Sequence, residues 1–359
     1  MKNANTLKLH EAGQSLWLDN ITRDLLTSGT LARYIDKLSV TGLTSNPTIF
    51  EHAIGTGTAY DESIRELAAQ GLSGEALFFA LALQDLQQAA DLFRPVHEAT
   101  QGVDGWVSLE VSPLLVDDTA ATVKVAADLH ARAARPNLFI KIPGTPAGIV
   151  AVEASIFAGV PVNVTLLFSR EQYLAAANAY MSGIQRRVDA GLDPVVESVA
   201  SLFVSRWDVS VAKETPAPLH NRLGIAVAMR AYNASRELLL TESWRKLEAA
   251  GAHPQRLLWA STGIKDPDAR DTLYAEALVA PGTVNTLPEK TLLAYADHGE
   301  LGASLPFDGG EAETVIEAFR HASIDDTALA ARLQREGAES FSKSWRALIA
   351  CIEEKAAKA

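Results

Sequence analysis

The chain has 359 residues, 48% of them hydrophobic and 21% charged, and a formal net charge of −12 at pH 7. This is the composition of a soluble globular protein and excludes a disordered chain, a collagen and a coiled-coil rod. The acidic balance argues against a nucleic-acid partner, so any anion must be met by a local basic cluster.

In chain order, short apolar runs alternate with longer segments of helical spacing. Residues 15–20 form the first run and carry Asp19 near its end. Residues 40–46 follow, with Thr44 and Asn46 at the end. The stretch 51–101 reads as two helices, with Leu77, Leu81 and Leu83 on an amphipathic face. Residues 106–111 place Glu110 between Leu109 and Val111, and 138–142 place Lys141 between Ile140 and Ile142. A helix is expected over 146–158, then a run over 160–168 carrying Asn163 and Thr165, then a helix over 169–190. The run 195–204 holds Ser201 and Phe203 and leads into Ser205 and Arg206. Residues 256–262 end on Ser261 and Thr262, with Lys265 just beyond, and 282–287 form the weakest run. Residues 311–359 read as two helices packed across the body formed by the rest. Eight strand-helix alternations imply an α/β chain folded as a (β/α)8 TIM barrel. The expectation is a single domain over 1–359, with 51–101 as a helical insertion and 311–359 as a C-terminal helical extension.

In such a barrel, catalytic side chains come from the C-terminal ends of several strands. Asp19, Thr44, Asn46, Glu110, Lys141, Asn163 and Thr165 each interrupt an apolar run near that position. Lys141 is the sharpest anomaly. A buried amine loses hydration, which favours its neutral form, a nucleophile for carbonyl carbon. It reads equally as the partner of Glu110 in an interior ion pair. Asp19 before Asn20 also fits ordinary turn chemistry, and each hydroxyl or amide alone fits a satisfied hydrogen-bonder. Their joint occurrence points to a site. Arg206, Lys265, Ser201 and Ser261 form a second group, near the strand ends where barrels often hold phosphate. Against that reading, Arg206 could simply pair with Asp208 at the surface.

Other chemistries find no support. There is no Walker A loop, complete dinucleotide fingerprint, zinc-protease motif or nucleophile-elbow serine. The eight histidines form no close pair, so no metal site is expected. The single Cys351 excludes an internal disulfide, fits a small core residue and suits a reducing cytoplasm. The stretch MKNANTLKLHEAGQ lacks the apolar region of a secretory signal, and no run of about 18 apolar residues offers a membrane span.

The segments TGLTSNPTIF, SLEVSP, IKIPGTPAG, NVTLLFS and SLFVSRWD together resemble the transaldolase family, in its longer bacterial form. The resemblance runs from LWLDNITRDLL to FSKSWRALI and implies a class I aldolase barrel with no cofactor and no metal. It implies Lys141 as the Schiff-base lysine, Glu110 as acid/base, and Asp19 as the aspartate ending strand one. Asn46 falls on the T-x-N-P asparagine, Thr165 on the hydroxyl near the Schiff base, and Asn163 beside it. Ser201 and Arg206 fall on the phosphate-binding serine and arginine. The family's second phosphate arginine is absent from Ala260-Ser261-Thr262-Gly263, and Lys265 is the expected substitute. The implied partners are sedoheptulose 7-phosphate, glyceraldehyde 3-phosphate, erythrose 4-phosphate and fructose 6-phosphate, as in the non-oxidative pentose phosphate pathway. Two rivals remain. One is a fructose 6-phosphate aldolase, whose smaller relatives carry Tyr where this chain has Phe203. The other is a catalytically dead barrel serving as a binding module.

Overall fold

The computed structural model describes residues 2–358. Eight strands pair in parallel and in chain order, and the last closes on the first. They are β1 Ser15–Asp19, β2 Val40–Thr44, β3 Trp106–Glu110, β4 Leu138–Pro143, β5 Val162–Leu167, β6 Ser198–Phe203, β7 Arg256–Ala260 and β8 Val284–Leu287. All eight runs read from the sequence are therefore strands. The weak run over 282–287 becomes one because β1 and β7 supply hydrogen-bond partners on both sides. Two long runs overshoot: the strands within 160–168 and 195–204 start later, with Val160 and Val196 packed before them and Val195 left exposed.

Alternate positions along a strand share a face, and this sorts the barrel into two zones. Trp17, Trp106 and Phe139 lie below Asp19, Glu110 and Lys141 on their strands. Trp106 stacks on Phe139 at 4.0 Å between centroids, giving a dry aromatic lower layer. Gly42 on β2 makes room for it, since a β-carbon there would stand 2.6 Å from the Trp17 ring and 2.8 Å from Trp106 O. Arg256 closes the N-terminal rim. It donates to Ser15 Oγ and Thr283 O and faces Asp104 at 3.5 Å. With the barrel interior filled at this end, the polar side chains on the strands face the C-terminal end.

The additions differ from expectation in two respects. The segment expected as two helices holds three: Pro47–Thr56, Asp61–Ala69 and Gly74–Ala99. The first starts earlier because Asn46 caps it and Pro47 occupies its first turn. At the C-terminus both helices exist, Ala312–His321 and Asp326–Ala357, but only the second crosses the barrel mouth. The first packs outside against Leu223–Leu238, tied by Arg230 between Glu313 and Asp326. No described helix is long and apolar enough to cross a membrane.

Candidate active site

A cavity of about 420 Å³ opens at the C-terminal end of the barrel. Asp19, Thr44, Asn46, Lys141, Ser201, Phe203, Arg206 and Ser261 all line it. Strand register explains the inner group. Glu110 lies opposite Lys141, and Lys141 opposite Asn163, on three adjacent strands. Asp19 lies opposite Thr44.

Lys141 is buried, and its Nζ donates to Ser45 O at 2.9 Å. Glu110 Oε2 stands 3.5 Å away, close enough for an ion pair but too long for a firm hydrogen bond. Both Glu110 oxygens are buried without a hydrogen-bond partner among the described residues, as is Thr165 Oγ1. Such groups normally find partners, so an unpartnered carboxylate beside the Lys141 amine makes this a candidate for chemistry. Burial pushes the Glu110 carboxyl above its ordinary range, and attraction to Lys141 opposes this. Asp19 is raised for the same reason, opposed by Lys141 and by the Thr44 hydroxyl, which donates to Asp19 Oδ1 at 2.8 Å. Thr44 meets Thr286 Oγ1 at 2.7 Å, forming a chain of hydroxyls behind the carboxylate. Asn46 Oδ1 accepts from Ile49 N, so helix capping fixes its amide at the cavity wall. Asn163 donates to Ser108 Oγ and accepts from Ser201 Oγ.

β5 carries a local irregularity. Its register with β6 shifts between Val164 and Leu167, and Leu166 adopts φ 59°, rare for a leucine. The bulge sits immediately after Thr165. Its displaced Leu166 carbonyl is taken by Gln334 Nε2 of the C-terminal helix, which also donates to Gly144 O.

The second group divides. Arg206 is half-buried, its guanidinium carbon 5.0 Å from the Phe203 ring centre and 5.7 Å from that of Phe341. Among the described residues it makes no salt bridge or hydrogen bond. The surface pairing with Asp208 does not occur. Asp208 instead accepts from Leu223 N, Gly224 N and Tyr274 OH, and its burial pushes its pKa up to about 6. Ser261 stays at the mouth, sharing a hydrogen bond with Ser205. Lys265 does not reach the cavity. Ser261 has φ 54°, the following loop turns outward, and Lys265 ends exposed beside Asp208 and Asp266 in a separate depression. Ser201 also lines the cavity, and its hydroxyl donates to Asn163 Oδ1 at 2.7 Å.

Sequence reasoning missed His52, Thr286 and Phe341, which also line the cavity. His52 follows Asn46 by six residues on the helix that Asn46 caps, a proximity legible beforehand. Thr286 was hidden in the weakest strand run. Phe341 arrives from the far end of the chain, and no local pattern announces it. Among the described residues no cluster of His, Cys, Asp and Glu could hold a metal ion.

The family model described as transaldolase/fructose-6-phosphate aldolase matches residues 16–352. A protein named transaldolase from Renibacterium salmoninarum is 44% identical, with 98% of this chain and 96% of the relative covered. Another of that name from Thermobifida fusca is 45% identical over 95% of each chain. One from Mycolicibacterium smegmatis is 43% identical over 97% of this chain and 96% of its own.

Proposed function

The chain belongs to the transaldolase/fructose-6-phosphate aldolase family, and on that premise we propose that it is a transaldolase working through a Schiff base on Lys141. It moves a dihydroxyacetone unit from sedoheptulose 7-phosphate to glyceraldehyde 3-phosphate. The products are erythrose 4-phosphate and fructose 6-phosphate. The observation that carries this reading is the buried Lys141 amine, 3.5 Å from a carboxylate whose oxygens have no other partner.

The Lys141 amine attacks the ketose C2 carbonyl, and the carbinolamine loses water to give an iminium. Glu110, whose carboxyl burial pushes above its ordinary range, delivers the proton that lets hydroxide leave as water. Thr165, whose buried hydroxyl has no partner among the described residues, helps hold that water. Asp19 takes the proton from the C4 hydroxyl, the C3–C4 bond breaks, and its electron pair passes to the iminium, forming an enamine. The first aldose leaves, and the enamine attacks the acceptor aldehyde in the reverse sense. The iminium does the polarising, so no metal is needed. Phe203 and Phe341 are apolar walls that keep water from the enamine, which favours transfer over release of free dihydroxyacetone. Arg206, which makes no salt bridge among the described residues, binds the substrate phosphate at the mouth, and Ser261 assists.

The test is incubation with fructose 6-phosphate and erythrose 4-phosphate. A transaldolase yields sedoheptulose 7-phosphate. Free dihydroxyacetone as the main product would identify an aldolase, and neither product would identify a binding module.

A further inference from the structure

An isolated glycine in a helix interior weakens it relative to alanine, so its presence calls for a packing or functional reason. The C-terminal helix Asp326–Ala357 holds one glycine, Gly337, buried near its middle. Its backbone is ordinary helix, so conformation does not require glycine there. Space does. A β-carbon at Gly337 would lie 2.9 Å from Leu166 Cδ2 and 3.0 Å from Arg206 Nη1.

The helix cannot simply back away. Gln334, three residues earlier, clamps it to Gly144 O and Leu166 O. Phe341, four residues later, is buried against the cavity and faces the same guanidinium. These spacings put Gln334, Gly337 and Phe341 on one helix face, turned to the barrel mouth. The Phe203 ring also lies against the guanidinium, 5.0 Å from its central carbon. Arg206 thus occupies a slot whose width is set by the missing side chain at 337.

We propose that Gly337 is a specificity-determining position, seating Arg206 against Phe203 so that phosphorylated acceptor aldehydes are preferred over unphosphorylated ones. This rests on the reading of Arg206 as the phosphate ligand. Gly337 acts through Arg206 and touches no reacting atom, so it is a positioning residue. Arg206 Nη1 ends a long half-buried side chain beside the cavity and can swing away, and the helix propensity of alanine offsets the tighter contact with buried Leu166, so Gly337→Ala keeps the fold while displacing the guanidinium.

The test compares kcat/KM for glyceraldehyde 3-phosphate with that for glyceraldehyde in Gly337→Ala, Arg206→Ala and the double variant. Arg206→Ala should lower this ratio by roughly ten- to a hundredfold, the range for a lost charge-assisted hydrogen bond. Gly337→Ala should lower it by about tenfold while Tm stays level or rises, which a merely structural defect would not do. The double variant should match Arg206→Ala alone, because a displaced side chain that has been removed cannot be lost twice. If Arg206→Ala lowers the ratio and Gly337→Ala does not, the role of Gly337 is overturned and the phosphate reading stands. Additive losses in the double variant, or equal losses on both acceptors, overturn it as well. If neither single variant changes the ratio, the phosphate reading itself fails and takes the inference with it.

Discussion

Replacing Gln334 by leucine keeps most of the side chain's bulk and removes both donors. Nε2 donates to Gly144 O and Leu166 O, each at 2.9 Å, joining the C-terminal helix to the ends of β4 and β5. A neutral hydrogen bond contributes about 0.5–1.5 kcal/mol net, and a buried carbonyl stripped of its donor costs about 1–3 kcal/mol. Both bonds are only partly buried and Gln334 borders an open depression, so water recovers part of this loss and the combined destabilisation should be about 1–3 kcal/mol. Leu166 adds a local effect. At φ 59° it is held in a conformation that persists only while its surroundings enforce it. Releasing its carbonyl lets the bulge relax and shifts the neighbouring Thr165. Urea unfolding should show the stability loss, and single-turnover adduct formation with fructose 6-phosphate should slow by about tenfold or more, since misplacement near the reacting atoms is costly. Gln334→Glu, which points a carboxylate at two carbonyl oxygens, should be worse. A Gln334→Leu protein within about 0.5 kcal/mol of the parent, the range of an innocuous surface change, and with an unaltered adduct rate would refute this account of the clamp.

Asp19→Asn should slow C–C cleavage by about 10²–10⁴-fold while still permitting some adduct, and Glu110→Gln should slow adduct formation over the same range; rapid-quench analysis separates the two steps. Burial raises Asp19, so it keeps its proton to higher pH and works as a base only above the ordinary carboxylate range. The acid limb of the cleavage rate should therefore lie above about pH 4, and Asp19→Asn should abolish it. Asp208, raised from 3.8 to about 6, binds its proton more tightly folded than unfolded, so it favours the fold below pH 3.8 and loses that contribution as pH rises through about 6. Asp208→Asn should therefore gain about 2–3 kcal/mol relative to the parent between those pH values, read as a change in the difference of urea midpoints.

How much of this was legible in the sequence depends on how locally each feature is encoded. Asp19, Glu110 and Lys141 each break an apolar run, and strand alternation then fixes which way they point, so Asp19 and Lys141 meet in one cavity with Glu110 behind Lys141 as the fold class implies. Lys265 shows where such reasoning ends. It lies four residues after Ser261, but the chain first buries Thr262 against Thr286 and only then runs out to an exposed Lys265, and no spacing rule encodes that path. Ser201 matched a motif position, but its partner depends on an inter-strand neighbour, Asn163. Gln334, Gly337 and Phe341 were invisible for a further reason. Their helical face reads as amphipathic packing, and only the path of that helix over the barrel mouth turns it into a wall of the site.

The account stands most directly on Lys141. Borohydride reduction in the presence of fructose 6-phosphate, followed by peptide mass mapping, should place a reduced ketose-derived adduct on the peptide containing Lys141. Lys141→Arg should show no adduct and essentially no activity, because a guanidinium remains protonated at neutral pH. An adduct on any other lysine, or full turnover by Lys141→Arg, would contradict the mechanism.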